Sequence, residues 1–262
     1  MMRDYKEEGL WLMNGDCLER MKDIPSGSVD MILTDPPYGT TACKWDSIID
    51  LTLMWEQLRR VIKSNGAIVM TSQTPYDKVL GSSNLGMLKY EWIWEKTAAT
   101  GHLNAKKMPM KAHENVLVFY NKLPTYNPQK TFGHSPVNTF TKRNGDGECY
   151  GKTKEFSGGG STQRYPRSTL LFSSDKQKCR LHPTQKPVAL MEYLIKTYTN
   201  EGESVLDFAS GSFTTGVACV NLNRKFIGIE LDKSYFNIGV NRIRERIKCL
   251  DLKTEPVISM VD

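Results

Sequence analysis

A repeated alternation constrains this chain most. A short continuous apolar run is followed by a turn and then by a segment with apolar residues at helical spacing. The runs are "VDMILT" (29–34), "AIVMT" (67–71), "SVLDFA" (204–209) and "KFIGIE" (225–230). Each is short and almost wholly apolar, as expected of a strand buried on both faces. "IIDLTLMWEQLRRVI" (48–62), "VALMEYLIKTYT" (188–199), "VACVNL" after 216 and "YFNIGVNRIRERI" (235–247) supply the helical segments, and "SNG" (64–66) ends the first. "GLWLMNG" (9–15) reads as a further strand, and "DCLERMKDI" (16–24) as a short helix. Asp16 is its N-cap, with Glu19 three residues on as in a capping box. A helix is expected after Pro75, and strands at 90–96 and 114–120. Strands alternating with helices predict an α/β fold built on a parallel, doubly wound sheet.

The periodicity fails between 121 and 181. That stretch is rich in Gly, Ser, Thr, Asn, Lys and aromatics, with "SGGGST" (157–162) in its middle. It reads as a loop-rich insertion. Residues 1–120 and 182–262 then form the main domain. The insertion carries eleven Lys or Arg against four Asp or Glu, a net +7, whereas the whole 262-residue chain is +6. A basic segment on a near-neutral body points to a polyanion partner or to a solvated loop. No apolar run approaches the ~20 residues of a membrane helix. Residues 1–12 show no secretory h-region. The six cysteines are scattered with no C-x-x-C pair, so reduced thiols, no metal site and a cytoplasmic setting are expected.

Two turns carry chemistry. "DFASGSFTTG" (207–216) follows a strand and opens a helix. Ligands of doubly wound sheets bind at such strand ends, where small residues admit them to the backbone and to free helix N–H groups. Glu230 ends the next strand nineteen residues past Gly211, a placement suited to accepting from ribose hydroxyls. The alternative is a tight turn with a solvated glutamate. The full G-x-G-x-x-G is missing, so a dinucleotide is not favoured.

The second turn is "DPPYGT" (35–40). Pro36 and Pro37 lack N–H groups and fix their own φ, and each pushes the residue before it to an extended conformation. Asp35 and the Pro36 carbonyl become two acceptors aimed at one point, neither easily satisfied within the turn. Tyr38 adds a flat face. Together they suit an exocyclic amine on a nucleobase. The alternative is a rigid turn with Asp35 as a cap.

With "HPTQKP" (182–187) between them, "DPPYGT", "LDFASGSFTTG" and "FIGIE" resemble, in this order, the amino-methylating DNA methyltransferases of the circularly permuted β group. The resemblance covers roughly 11–120 and 182–247. It implies a Rossmann-like, permuted methyltransferase sheet using S-adenosylmethionine, with a target-recognition insertion at 121–181. It implies Asp35, Pro36, Pro37 and Tyr38 as the catalytic tetrapeptide. It places Asp207, Phe208, Ala209, Ser210, Gly211 and Ser212 around the methionine part of the cofactor, and Glu230 at its ribose. Asp16, with Cys17 beside it, would lie near the adenine, and Thr184 and Lys186 near the cofactor carboxylate. The family usually carries proline where Phe208 stands and glycine where Phe213 stands. Phe213 removes a residue free to take positive φ, which bears on the detailed shape of the turn and on cofactor affinity but not on Asp35 or Glu230.

The implied reaction is direct transfer of a methyl group to a base amine in flipped-out double-stranded DNA. In the resembled family Asp at the first tetrapeptide position goes mainly with adenine N6 and serine with cytosine N4, so the resemblance implies adenine from Asp35. Cytosine N4 is the alternative, followed by an RNA or protein-amide methyltransferase and by a non-catalytic nucleic-acid-binding relative. No Pro-Cys pair occurs, which counts against cytosine C5 chemistry. Lys106, Lys107, Lys111 and His113 are candidate DNA contacts. The resembled group commonly dimerises, and a restriction endonuclease partner would be a separate chain.

Overall fold

The computed structural model describes residues 4–39, 47–142, 154–173 and 185–254. One unit comprises residues 1–127 and 168–262. Its strands are β1 (Tyr5–Glu7), β2 (Leu10–Asn14), β3 (Val29–Thr34), β4 (Ile62–Ser72), β5 (Leu88–Thr100), β6 (Lys111–Phe119), β9 (Thr169–Phe172), β10 (Ser204–Asp207) and β11 (Lys225–Glu230). They form one sheet in the order β1-β2-β11-β10-β3-β4-β6-β5-β9. The helices are α1 (Cys17–Arg20), α2 (Leu51–Val61), α3 (Tyr76–Ser82), α4 (Val188–Tyr198), α5 (Thr214–Asn221) and α6 (Lys233–Thr254). Residues Pro128–Arg167 make a second compact unit, with β7 (Phe140–Lys142) paired antiparallel to β8 (Phe156–Gly158).

The main sheet is covered on both faces, as its apolar runs require. Along β3, Met31 and Leu33 join a core that includes Leu194 of α4, Val217 of α5 and Ile243 of α6. Ile32, between them, joins the opposite core with Trp55 and Leu58 of α2 and Leu80 of α3. Alternation along a pleated strand sends neighbours to opposite faces. Asp50 starts α2 by accepting from the Leu53 N–H at 3.0 Å.

Strands β2, β11, β10, β3 and β4 are mutually parallel. The expected parallel, doubly wound core carries antiparallel strands at its flanks. β6 runs antiparallel to both β4 and β5, and β1 antiparallel to β2. A ten-residue connection joins β5 to β6 as a hairpin, which reverses the chain; a parallel pair would need a longer crossover. This reversal brings the first residues of β6 to the edge where β3 and β4 end. β9 lies inside the stretch read from the sequence as insertion, so the second compact unit is shorter than that stretch. Only Leu170 of β9 is buried, and a four-residue strand with one core residue leaves little periodicity to read.

Phe213 takes the positive φ that a glycine would supply at this turn. It adopts the left-handed conformation itself, φ 56° and ψ 42°. That costs about 1–2 kcal/mol for a non-glycine residue. Its ring is fully buried, with centroids 6.0 Å from Phe226 and 5.9 Å from Phe236. Burial of such a ring contributes about 1.5–3 kcal/mol, enough to offset the backbone strain. The space comes from Gly239 of α6, where an added Cβ would lie 2.4 Å from the ring. The glycine absent from the turn thus reappears as room in the helix packed against it. Phe213→Gly should therefore destabilise the chain by about 2–4 kcal/mol in urea unfolding, the cavity cost less the relieved strain. An unchanged or higher stability would contradict this account.

Candidate active site

Four parallel strands, adjacent in the sheet, end at one edge. β2 ends at Asn14, β11 at Glu230, β10 at Asp207 and β3 at Thr34. From β10 the chain crosses to β11 on one side, and from β3 to β4 on the other. The connections diverge between β10 and β3, which is where doubly wound sheets open a crevice. A cavity of ≈ 560 Å³ lies there, bordered by Asp16, Cys17, Asp35–Tyr38, Lys186, Asp207–Ser212 and Glu230. The candidate residues from distant parts of the sequence therefore share one cavity. Thr184 lies outside the described residues.

Direct bonds tie the strand ends together. Thr34 Oγ1 donates to Asp207 Oδ1 at 2.7 Å, linking the two turns. Asn14 Nδ2 donates to the Glu230 carbonyl at 2.6 Å. Asp16 caps α1 as expected, accepting from the Leu18 N–H at 2.8 Å and the Glu19 N–H at 3.2 Å. Beside it, burial pushes the Cys17 thiol up to about 12.

The turn after β10 is held from below. Arg242 of α6 donates to the Ser212 carbonyl at 3.0 Å and to Thr214 Oγ1 at 2.9 Å. Glu230 accepts from the Gly211 N–H and the Asp232 N–H, each at 2.7 Å. Its carboxylate thus fixes the turn while lining the cavity. Burial raises Glu230 to about 7 and Asp207 to about 6, against hydrogen bonds that pull the other way. Phe208 packs into the core opposite α5, beneath the turn.

The turn after β3 departs from expectation. Asp35 is not left bare. Tyr38 Oη donates to Asp35 Oδ1 at 2.5 Å, and Thr71 Oγ1 donates to the same oxygen. Lys186 Nζ donates to Oδ2 at 2.6 Å. A largely buried carboxylate without partners would cost several kcal/mol, so the fold supplies donors. Tyr38 also stacks on Tyr76, with centroids 5.5 Å apart. Burial, then the charges of Asp35 and Glu114, raise its phenol well above the usual tyrosine range.

Lys186, expected near a cofactor carboxylate, bridges Asp35 and Glu114 in this structure. Burial pulls its ammonium down, but the two carboxylates outweigh burial and hold it above the usual lysine range. Thr71, Glu114 and Lys96 were not singled out from the sequence. The available signal for Glu114 was an acid, followed by Asn115, ahead of the apolar run "VLVF". Lys106, Lys107, Lys111 and His113 are exposed, and Lys111 Nζ donates to Gln73 Oε1 at 2.9 Å at the cavity wall.

Residues 29–241 match the sequence profile of the family described as DNA methylase, of the N6/N4 type. This chain belongs to that family. The methylase is 30% identical to the type II methyltransferase M.HpaI of Haemophilus parainfluenzae, over 94% of this chain and 82% of that protein. It is 29% identical to the DNA adenine methyltransferase YhdJ of Escherichia coli, over 91% of this chain and 84% of that protein. Among solved structures, the complex of M1.HpyAVI with SAM aligns at TM-score 0.60 and 27% identity, covering 89% of this chain and 99% of that one. The cytosine-N4-specific PvuII methyltransferase aligns at TM-score 0.65 and 15% identity, covering 91% of each, a likeness of fold. The methylase is thus an enzyme of DNA amine methylation on a Rossmann-like sheet.

Glu230 gives this site a pH signature. The folded chain holds its proton at about 7, against 4.5 for an ordinary glutamate. Its contribution to stability is present below about pH 4.5 and is lost as pH rises to about 7. Glu230→Gln removes that titration. Through this window, wild-type stability should fall relative to Glu230→Gln by up to about 3 kcal/mol in urea unfolding. A difference that stays flat would contradict the burial of this carboxyl.

Proposed function

We propose that this methylase transfers a methyl group from S-adenosylmethionine to the exocyclic N6 of adenine in double-stranded DNA. The observation that carries the reading is the meeting of two turns in one cavity. Asp35–Tyr38 follow β3, Asp207 ends β10 with Phe208–Ser212 after it, and the two strands are neighbours at the switch point.

The cavity fits S-adenosylmethionine. Its ≈ 560 Å³ suits a ligand of that size. A carboxylate offers about four acceptor positions, so Glu230 can take ribose hydroxyls while keeping its two backbone bonds. Gln185 is 6% exposed, lines the cavity, and its Oε1 has no hydrogen-bond partner among the described residues. Such an acceptor suits the ammonium of the methionine part, in the cavity that Ser210–Ser212 also line. Asp16 and Cys17 would border the adenine. When bound, the cofactor supplies a methyl group on an already positive sulfur.

The chain's own contribution is positioning. A base amine is a poor nucleophile because its lone pair is delocalised into the ring. Asp35 retains acceptor capacity beyond its three bonds, and with the Pro36 carbonyl it would hold both amine hydrogens. Held so, the amine pyramidalises, and alignment supplies much of the rate. The Asp35 charge favours the positive charge that grows on nitrogen. No covalent enzyme intermediate is required. Adenine is favoured over cytosine because the tetrapeptide opens with Asp35, and because the adenine methyltransferase YhdJ is similar over most of its length.

Reaching Asp35 requires the base to leave the duplex, at a cost of a few kcal/mol. Contacts to phosphates can offset that cost with a steep salt dependence. Lys106, Lys107, Lys111 and His113 are candidates for them. The Pro128–Arg167 unit is the candidate target-recognition module. It exposes Phe132, Phe156 and Tyr165, and Lys130 Nζ lies 4.4 Å from the Tyr165 ring centroid.

The test is to incubate the protein with unmodified DNA and methyl-labelled S-adenosylmethionine, digest the DNA, and identify the labelled nucleoside. N6-methyladenine is expected, and N4-methylcytosine would overturn the choice of base. Label in RNA or protein alone would overturn the function. Asp35→Ala should abolish transfer while cofactor affinity stays within about threefold, because that residue acts on the amine.

A further inference from the structure

We propose that Glu114 and Lys96 are positioning residues for the reaction, acting on Asp35 through Lys186. The inference rests on the reading of Asp35 as the acceptor that holds the base amine.

Four charges of alternating sign stand in a row. Lys96 Nζ lies 2.6 Å from Glu114 Oε1. Glu114 Oε2 lies 3.2 Å from Lys186 Nζ, and Lys186 Nζ lies 2.6 Å from Asp35 Oδ2. The side chains are 8%, 12%, 8% and 23% exposed, so water screens them little. Lys96 Nζ also lies 5.3 Å from the Trp94 ring centroid, which helps to hold an ammonium in so dry a place.

The row comes from the sheet. Lys96 is near the carboxyl end of β5 and Glu114 near the start of β6, and Trp94 pairs with Glu114 across the hairpin. Lys186 arrives from the segment before α4. A hairpin and a segment remote from it in sequence therefore converge on the turn after β3.

The chemistry gives the row a purpose. Positive charge grows on the amine during methyl transfer, and Asp35 is the anion beside it. An ammonium held by Asp35 alone would cancel that anion. Glu114 takes a share of the Lys186 charge and so leaves Asp35 more of its own. Lys96 then balances Glu114, and the row sums to zero. Buried charges are tolerated when paired in this way and costly when stranded.

The experiment measures single-turnover methyl transfer at saturating DNA and S-adenosylmethionine, with cofactor affinity measured alongside. Glu114→Gln should slow transfer by about 10–100-fold, with the cofactor dissociation constant changing less than about threefold. The loss should be partly recovered in the Lys96→Met/Glu114→Gln double variant, which restores the row to neutrality. Glu114→Asp is the substitute if the Gln variant does not fold. It keeps the charge but cannot reach both lysines, so it should slow transfer in the same direction and by less. Transfer within threefold of wild type in Glu114→Gln would overturn the proposal. So would a loss of transfer matched by a loss of cofactor binding, or a double variant slower than the single one. A wild-type protein that puts no label into DNA would instead sink the functional reading beneath it.

Discussion

The ion pair between Lys186 and Asp35 is the contact on which the rest of the site depends. It joins residues 151 positions apart and fixes the turn after β3 against the segment that leads into α4. Neither partner is stable there alone. An ammonium as buried as Lys186 requires an anion, and the fold supplies two. A carboxylate as enclosed as Asp35 requires donors, and Tyr38, Thr71 and Lys186 supply them. The result is a carboxylate whose position is set from three directions before any substrate arrives. Such preorganisation suits the amine-holding role proposed for Asp35, because the protein does not have to reorganise as charge develops.

The sheet explains why those groups meet. Parallel strands deliver the turns with Asp35, Asp207 and Glu230 to one edge. That edge alone would present acids with little to balance them. The antiparallel β6 begins at the same edge, and its first residues bring Glu114 to Lys186 while Lys96 of β5 backs Glu114. The β10 side of the cavity is organised differently. Glu230 fixes the turn after β10 through the Gly211 N–H, and Arg242 grips Ser212 and Thr214 from α6. Thr34 to Asp207 is the bond that joins the two halves.

Much of this was legible in the sequence where one residue type has one physical use. "KFIGIE" appears as β11 over the same six residues, and "VDMILT" as β3. The prolines marked the turn after β3 because they leave the chain few conformations. The capping role of Asp16 followed from its place before a short helix. What was hidden depends on partners distant in sequence. Glu114 looked like any acid at a strand start, and Thr71 like any strand threonine. Lys186 was read as a ligand for an anion outside the chain, although the anions it meets here are the chain's own. The direction of β6 could not be read from apolar runs, which look alike in either direction. Phe213 showed the limit of reasoning from one position. Its backbone strain is offset by packing against Phe226 and Phe236, in space that Gly239 leaves open.

The central claim is that Asp35 and Lys186 hold each other in place as buried charges. A double-mutant cycle on unfolding free energy tests it most directly, with Asp35→Asn, Lys186→Met and the pair combined. Removing one partner of such a pair typically costs about 3–5 kcal/mol, because a charge is stranded. The combined variant strands neither, so it should be more stable than the sum of the single losses by at least about 2 kcal/mol. Losses that simply add, to within about 0.5 kcal/mol, would show that the two groups do not depend on each other and would contradict the account.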